Sequence, residues 1–171
     1  MYSNGTEAAI VTSVSVFGDG NHETTQLVLD ELYAAAPQGK TVLDIGTGSG
    51  VQAVFAKKWG ASKVYAVDVD YNAIKAARDN FKRNGVEVES RLNIYNEFLT
   101  IKADITVANL PAPNLREYLS MAPDTMASGG VLIFSWPRRF NLYNECDLSG
   151  WEIIGGREGI EYDAYTIRRR I

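Results

Sequence analysis

The sequence predicts an α/β fold: a mostly parallel seven-stranded sheet with helices on both faces and an antiparallel hairpin at one edge. Two observations predict the parallel part of the sheet: short runs rich in Val and Ile recur along the chain, and helical patterns separate them. A third observation predicts the hairpin, because the last two strand-like runs lie too close together for a helical crossover. With 171 residues, 46% of them hydrophobic, the chain can bury the core of a single domain, which we expect to span residues 1–171.

The first five predicted strands are mostly apolar on both faces, as strands buried in a parallel sheet are. They cover residues 42–45, 63–69, 86–92, 105–108 and 131–136. The last two cover residues 151–154 and 162–171, and the short segment containing GGREG between them favours a hairpin. Helical patterns with one apolar stripe cover residues 24–36, 73–84 and 114–127.

Composition and charge exclude several classes of protein. The net charge of −4 argues against tight non-specific binding to nucleic acid. Cys146 is the only cysteine, which rules out an internal disulfide or a thiolate metal cluster and fits a reducing cytoplasm. The N-terminus does not resemble a signal peptide, and no apolar stretch approaches the ~20 residues of a membrane helix. We therefore expect a cytoplasmic protein with no metal and no membrane partner.

The stretch TVLDIGTGSG places glycine at every second position after a predicted strand that contains an acid. Bare backbone N–H groups at such a turn can face a ligand. A dinucleotide loop would need glycine where this chain has Val51, and the pattern is instead Asp44, Gly46, Gly48 and Gly50. The acid would repel a pyrophosphate and attract a sulfonium or ammonium group, so S-adenosylmethionine fits as the cofactor. The alternative is a tight strand-to-helix turn that binds no ligand.

Two further strands are followed by polar side chains at the same edge of the predicted sheet. Asp68 ends the second strand, where a carboxylate can accept both hydroxyl groups of a ribose. Either Asp68 or Asp70 could instead cap the next helix, and we assign that role to Asp70. Asn109 follows the fourth strand, which Pro111 and Pro113 prevent from continuing. It lies where ligands bind in this architecture, or it caps the turn.

Together these segments resemble the class I S-adenosylmethionine-dependent methyltransferases, which have a Rossmann-like fold. The stretches FGDGNHETT, DIGTGSG, AVDVD and ANLPA are similar, in that order, to motifs of the family that methylates ribosomal large-subunit protein eleven. The resemblance implies that Thr25, Gly46, Asp68 and Asn109 contact the cofactor, and that a nitrogen of a protein side chain or amino terminus accepts the methyl group. The alternatives are methylation of RNA or a small molecule, or a non-catalytic S-adenosylmethionine-binding module that needs a partner chain.

The chain departs from that family near its N-terminus. Asp19 and Glu23 replace the usual threonine and proline, and they either steer a cationic substrate such as a lysine or are solvated loop charges. The family has a separate N-terminal substrate-recognition domain, whereas 16 residues precede Phe17 here. We therefore expect a catalytic domain alone, with residues 1–22 as an arm that covers the cofactor, and a ribosomal protein is one of several possible substrates.

For the chemistry we expect alignment to suffice, because a sulfonium already activates its methyl group. Asn109, together with the carbonyl groups of Leu110 and Pro111, would hold a nitrogen nucleophile against that methyl group. His22 is the only histidine, and it is either the base for this nucleophile or an organiser of the loop.

A wall of the expected cleft lies in segment 136–143, which contains Arg138, Arg139 and Phe140. Two arginines beside aromatic rings either grip a phosphate or an acidic surface, or they belong to an exposed loop.

Overall fold

The computed structural model describes residues 20–92 and 100–170, and it arranges seven strands in one sheet in the order β3-β2-β1-β4-β5-β7-β6. The strands are β1 (Thr41–Ile45), β2 (Lys63–Asp68), β3 (Glu89–Leu92), β4 (Ala103–Ala108), β5 (Met126–Pro137), β6 (Trp151–Glu158) and β7 (Tyr162–Arg169). The first five run parallel, and β7 is antiparallel to both β5 and β6. The predicted fold is confirmed, including the hairpin at one edge.

Helices cover both faces of this sheet, as predicted. They are α1 (Glu23–Ala34), α2 (Val51–Lys58), α3 (Tyr71–Arg83), α4 (Ala112–Thr125) and the single turn α5 (Leu142–Glu145). Apolar side chains of α1, α2 and α3, among them Val28, Phe55 and Phe81, form one buried cluster with the strands. Leu115 of α4 and Leu142 of α5 belong to a second cluster. Neighbouring residues of β1 enter different clusters because successive side chains of a strand point to opposite faces.

The strand order places a crevice beside β1. From β1 the chain moves outward through β2 to β3, and it then returns to β4 on the other side of β1. The connections that leave β1 and β4 therefore run in different directions, which opens a gap at the carboxyl ends of these two strands. The topology thus decides where a ligand site can lie before any side chain is considered.

Three segments differ from the prediction. β3 begins at Glu89, not at residue 86, and it is half-exposed because β2 is its neighbour on one side only. β5 begins earlier than predicted, at Met126, and β6 continues to Glu158, so most of GGREG is strand. Residues 1–19, which include Phe17, Asp19 and most of the expected arm, lie outside the described residues. None of the helices in the described part of the chain has the length and apolar character needed to cross a membrane.

Candidate active site

A cavity of about 880 Å³ lies over the carboxyl ends of β1, β2, β4 and β5, at the crevice that the strand order creates. Its volume is in the range of sites that hold a cofactor together with part of a substrate. Four of the predicted cofactor contacts line it, namely Gly46, Gly48, Asp68 and Asn109. The three predicted catalytic residues, Asn109, Leu110 and Pro111, line it as well. The cavity therefore brings together segments that are more than sixty positions apart in the sequence.

The glycine turn after β1 depends on backbone conformations that side chains disfavour. Gly46, Gly48 and Gly50 have φ values of 66°, 54° and 82°. A Cβ atom on Gly46 would lie 2.2 Å from Cδ2 of Leu110, so this glycine also lets Leu110 pack against the turn. Gly50 is the N-cap of α2 and lies behind the wall, where a Cβ atom would be 2.6 Å from Cε1 of Phe81. The structure thus places Gly46 and Gly48 on the cavity and gives Gly50 a packing role.

Asp44 lies beneath the turn and not on the cavity wall. It is 1% exposed, and its Oδ2 accepts a hydrogen bond of 2.6 Å from Oγ1 of Thr47. Burial raises the pKa of Asp44 to about 7, and the nearby carboxylate of Asp68 acts in the same direction. Any influence of Asp44 on a ligand would therefore pass through the turn, not through direct contact.

Asp68 links the glycine turn to the start of α3. Its Oδ2 accepts from the backbone N–H of Gly48 at 2.9 Å, and its Oδ1 accepts from the backbone N–H of Asp70 at 2.9 Å. Each carboxylate oxygen can accept further hydrogen bonds from a ligand in the cavity. Asp70 caps α3 by accepting from the backbone N–H of Asn72 at 2.8 Å, which confirms the role that the sequence predicts for it.

Asn109 lies one position beyond β4, and Ser135 of β5 lies beside it. Ser135 Oγ donates a hydrogen bond of 2.8 Å to Asn109 Oδ1. The other end of the amide, Nδ2, is buried and has no hydrogen-bond partner among the described residues. The carbonyl group of Pro111 already accepts from the backbone N–H of Leu115 at 3.0 Å, as the first hydrogen bond of α4. Asn109 is therefore better placed than Pro111 to meet a ligand.

The start of α1 forms another part of the wall. Nδ1 of His22, the N-cap of α1, accepts from the backbone N–H of Thr24 at 3.3 Å and lies 2.8 Å from its Oγ1. The His22 ring packs edge-on against Tyr162, with 5.7 Å between ring centroids. These contacts fit the second of the two roles that the sequence suggests for His22, that of an organiser of the loop. Thr25 is fully buried behind the wall, and its Oγ1 has no partner within the described part of the chain.

Glu23 has a different role from either of the two that the sequence suggests. Its carboxylate accepts hydrogen bonds from the backbone N–H groups of Ile160 and Glu161, in the turn between β6 and β7. A carboxylate held by backbone donors is not a solvated loop charge, and it is less able to bind a cationic substrate. Glu23 therefore connects the start of α1 to the hairpin.

The two arginines of the predicted wall, Arg138 and Arg139, make different contacts in the structure. Arg138 donates to the carbonyl group of Gly159 at 2.7 Å and lies 3.3 Å from Asp163, so it stabilises the hairpin turn. Arg139 lines the cavity, with its guanidinium group 4.9 Å from the ring centroid of Phe140. Arg139 is thus the member of this pair that can reach a bound substrate.

Sequence reasoning missed several residues of the wall, and among the polar ones are Ser135, Tyr162 and Arg116. Ser135 stands inside an apolar strand, and only its register with Asn109 could have indicated it. Tyr162 comes from a strand whose place in the sheet is not fixed by its own pattern. Within the described residues no group of three or more His, Cys, Asp or Glu side chains could hold a metal ion.

The strand order with its antiparallel β7, the glycine turn after β1 and the acid at the end of β2 define the class I methyltransferase fold. The sequence model of the ribosomal protein L11 methyltransferase family (PrmA) matches residues 13–136. The chain therefore belongs to the ribosomal protein L11 methyltransferase family.

Individual relatives agree with this assignment. Ribosomal protein L11 methyltransferases of Klebsiella pneumoniae and Escherichia coli are each 44% identical to this chain over 119 residues. These alignments cover 68% of this chain, which spans about 40% of the length of the relatives.

Two solved structures are similar in fold. A ribosomal protein L11 methylase from Lactobacillus delbrueckii superposes with a TM-score of 0.82 at 28% identity, covering 89% of this chain and 81% of that one. The 16S rRNA N2 G1207 methyltransferase of T. thermophilus, in complex with AdoMet and guanosine, gives a TM-score of 0.73 at 19% identity. It covers 91% of this chain and 45% of that one, and at this identity it supports the fold alone.

Proposed function

We propose that this chain is an S-adenosylmethionine-dependent methyltransferase that transfers a methyl group to a nitrogen of a protein side chain or amino terminus. The observation that carries the proposal is one cavity with two chemically different ends. The glycine turn and Asp68 form one end, and Asn109, Pro111 and Arg139 form the other. The first end would hold the cofactor, and the second would hold the methyl acceptor.

The residues present fit this cofactor. Gly46 and Gly48 have no side chains to fill the space beside β1, so a ligand can lie against their backbone. The carboxylate of Asp68 has lone pairs left for two ribose hydroxyl groups. Asn109 Nδ2 is a buried donor without a partner among the described residues, and such a group is expected to find an acceptor when a ligand binds. Thr25, Asp44 and Gly50 would support this site from behind the wall.

When bound, S-adenosylmethionine supplies a methyl group that its sulfonium has already activated. The chain then has to align the acceptor nitrogen and keep it close, which can account for most of the rate. Asn109 would accept a hydrogen bond from an N–H of the acceptor nitrogen, while the Leu110 and Pro111 side chains fill the space beside it. His22 caps α1 at the cavity wall, and the acceptor amine would lose its proton to solvent before it enters.

A protein acceptor is favoured by the family. The relatives are named for ribosomal protein L11, so a ribosomal protein is the first substrate to test. The exposed Arg139 beside Phe140 would contact an acidic segment of such a partner. The single cysteine, Cys146, is buried and unpaired, which fits a protein of the reducing cytoplasm.

The cofactor can be tested by calorimetry with S-adenosylmethionine, S-adenosylhomocysteine and NAD. We expect the first two to bind and NAD not to bind, because Val51 stands where a dinucleotide-binding loop needs glycine. Tighter binding of NAD than of S-adenosylhomocysteine would overturn the proposal.

The acceptor can be tested by tritium transfer from labelled S-adenosylmethionine into fractionated cell extract, with protein, RNA and small molecules counted separately. Label in protein that acid hydrolysis releases as a methylated amine supports the proposed acceptor class. Label in RNA or in small molecules would overturn it while leaving the cofactor assignment intact.

A further inference from the structure

We propose that Ser135 is a positioning residue, which holds the side-chain amide of Asn109 in one orientation at the acceptor end of the cavity. The catalytic consequence of this contact rests on the proposed function, whereas the contact itself does not. Ser135 stands within β5, in a sequence context that predicts nothing more than a buried strand.

The sheet register brings the two side chains together. β4 and β5 are parallel, with Ala108 opposite Phe134, so the next position along each strand places Asn109 beside Ser135. Side chains at matched positions of parallel neighbours lie on the same face of the sheet. The distance of 2.8 Å between Ser135 Oγ and Asn109 Oδ1 follows from this register.

Ser135 has a more rigid backbone than Asn109. It lies inside β5, where β7 pairs with it on the other side through Ala164, and it is 4% exposed. Asn109 lies past the last residue of β4. The bond from Ser135 is the only hydrogen bond that the described residues make to the Asn109 amide, since Nδ2 has no partner. Without Ser135 Oγ, no hydrogen bond from the described residues would fix the rotation of the amide about its Cβ–Cγ bond.

A fixed amide matters because it decides which atom meets the acceptor. The Ser135 hydroxyl group holds Oδ1 on the cavity side, while Nδ2 is buried. The second lone pair of Oδ1 can accept from an N–H of the acceptor nitrogen, which leaves the lone pair of that nitrogen free to attack the methyl group. A rotation by half a turn would place Nδ2 there, and its N–H would bond to that lone pair and block the attack. Ser135 would therefore affect the rate of transfer through Asn109, without touching either ligand's reacting atoms.

The main test compares Ser135→Ala with the wild-type chain in methyl transfer and in binding. We expect kcat to fall about 10- to 100-fold, since small misplacements of an aligned group cost this much. We expect the Kd of S-adenosylhomocysteine to change less than about threefold, because the contacts at the glycine turn remain. Ser135→Thr keeps the hydroxyl group and suits a strand, so it should restore most of the rate. A normal kcat in folded Ser135→Ala would overturn the proposal.

Thr125→Val is a matched control. Thr125 Oγ1 is also buried and lies 2.7 Å from the hydroxyl group of Tyr118, but it lies just before β5 begins, at the other end of that strand. Its loss should lower the melting temperature without changing kcat. If Thr125→Val lowered kcat as much as Ser135→Ala does, the effect of Ser135 would be a general loss of stability and the proposal would fail.

A second readout needs no methyl transfer. The side-chain ¹⁵N–¹H₂ signals of Asn109, assigned by their loss in Asn109→Ala, should shift and broaden in Ser135→Ala and stay unchanged in Thr125→Val. Unchanged signals in Ser135→Ala would overturn the proposed contact. If the wild-type chain methylates nothing, the proposed function fails, and the NMR comparison still decides whether Ser135 holds the amide.

A double-mutant cycle tests whether Ser135 affects the reaction through Asn109 or independently of it. In the Asn109→Ala background, Ser135→Ala should have no further effect on kcat, because the group that it positions is gone. Additive losses would mean that Ser135 acts on the reaction by another route, and the proposal would be wrong.

Discussion

The two sides of the cavity are built in different ways. The β1–β2 half, made of residues 46–50 and 68–70, is held by backbone N–H groups that donate to backbone carbonyl groups or to Asp68. Glycines with positive φ and a buried bond from Thr47 to Asp44 complete it. The β4–β5 half, made of residues 109–114 and 135–140, is held by side-chain hydrogen bonds from Ser135, Trp136 and Arg138, and it carries exposed groups such as Arg139 and Phe140.

The match to the family covers both halves to different extents. It runs from residue 13 to residue 136, so it includes the whole β1–β2 half and residues 109–114, 135 and 136 of the β4–β5 half. Residues 137–140, which contain Arg139 and Phe140, lie beyond it. That part of the wall is where we expect this chain to differ from the family.

The largest effect is expected from Gly50→Ala, a substitution in the β1–β2 half. The new Cβ would need a φ of 82° and would lie 2.6 Å from the buried ring of Phe81, so the free energy of unfolding should fall by about 3 kcal/mol. Gly39→Ala is the matched control, because φ is 76° there but nothing lies within 4 Å, and it should cost only about 1–2 kcal/mol. Urea denaturation measures both, and equal losses would show that packing against Phe81 is unimportant.

Asn109→Ala addresses the other half and should act on the reaction more than on the fold. We expect methyl transfer to fall at least ~100-fold, because the group that aligns the acceptor is lost. Stability should change by no more than about 1 kcal/mol, since the substitution removes a buried Nδ2 that has no described partner as well as the bond to Ser135. Transfer assays and melting curves are the measurements. Near-normal turnover would make Asn109 a turn residue only.

Asp68→Ala and Asp70→Ala compare two acids of the β1–β2 half. Loss of the ribose contacts should weaken binding of S-adenosylhomocysteine at least about tenfold in Asp68→Ala. Asp70→Ala should leave binding nearly unchanged and lower stability by about 1 kcal/mol, because Asp70 is the N-cap of α3. Calorimetry gives the ranking, and the opposite order would mean that Asp70 holds the ribose. Asp68→Asn removes the charge but keeps one oxygen that can accept from Gly48. It therefore separates the effect of the lost charge from the effect of losing the contact with the glycine turn.

The effect of Asp44→Asn is expected to appear as a change of stability with pH. Burial raises the pKa of Asp44 from 3.8 to about 7 on folding, so the native state holds a proton that the unfolded chain releases above pH 4. This contribution to stability is fully present below pH 4, is lost as the pH rises to about 7 and is constant above that. The variant lacks it, so its stability relative to wild type should rise by about 1 kcal/mol per pH unit within this window. A difference independent of pH would mean that Asp44 is charged throughout.

The strand pattern was enough to predict the sheet, its hairpin and the side of the sheet on which the site lies. Parallel strands place their carboxyl ends at one edge, so Gly46, Gly48, Asp68 and Asn109 had to meet if the strands were assigned correctly. The burial of β3 was predicted wrongly, because an apolar pattern does not reveal that a strand lies at the edge.

Which side chains line the cavity depends on single positions within a helix or strand. In α1, Thr24 lines the cavity and Thr25 lies behind it, a difference of one 100° step around the helix that the sequence alone cannot orient. In β1, Ile45 lines the cavity whereas Asp44 is beneath the turn, because neighbouring side chains of a strand point to opposite faces. Ser135 and Glu23 have partners 26 and 137 positions away, and no local pattern records contacts of that range.

The position of β7 inside the sheet has a consequence for how the chain is made. β7 is synthesised after β6, yet it lies between β5 and β6 and carries Tyr162 of the cavity wall. On the ribosome, β5 therefore leaves a row of open N–H and C=O groups until residues 162–169 have emerged, and β6 has no strand to pair with. A chain that stops short of β7 would expose the edge of a central strand and would be prone to aggregate. Completion of the nascent chain is thus a precondition both for solubility and for a closed cavity.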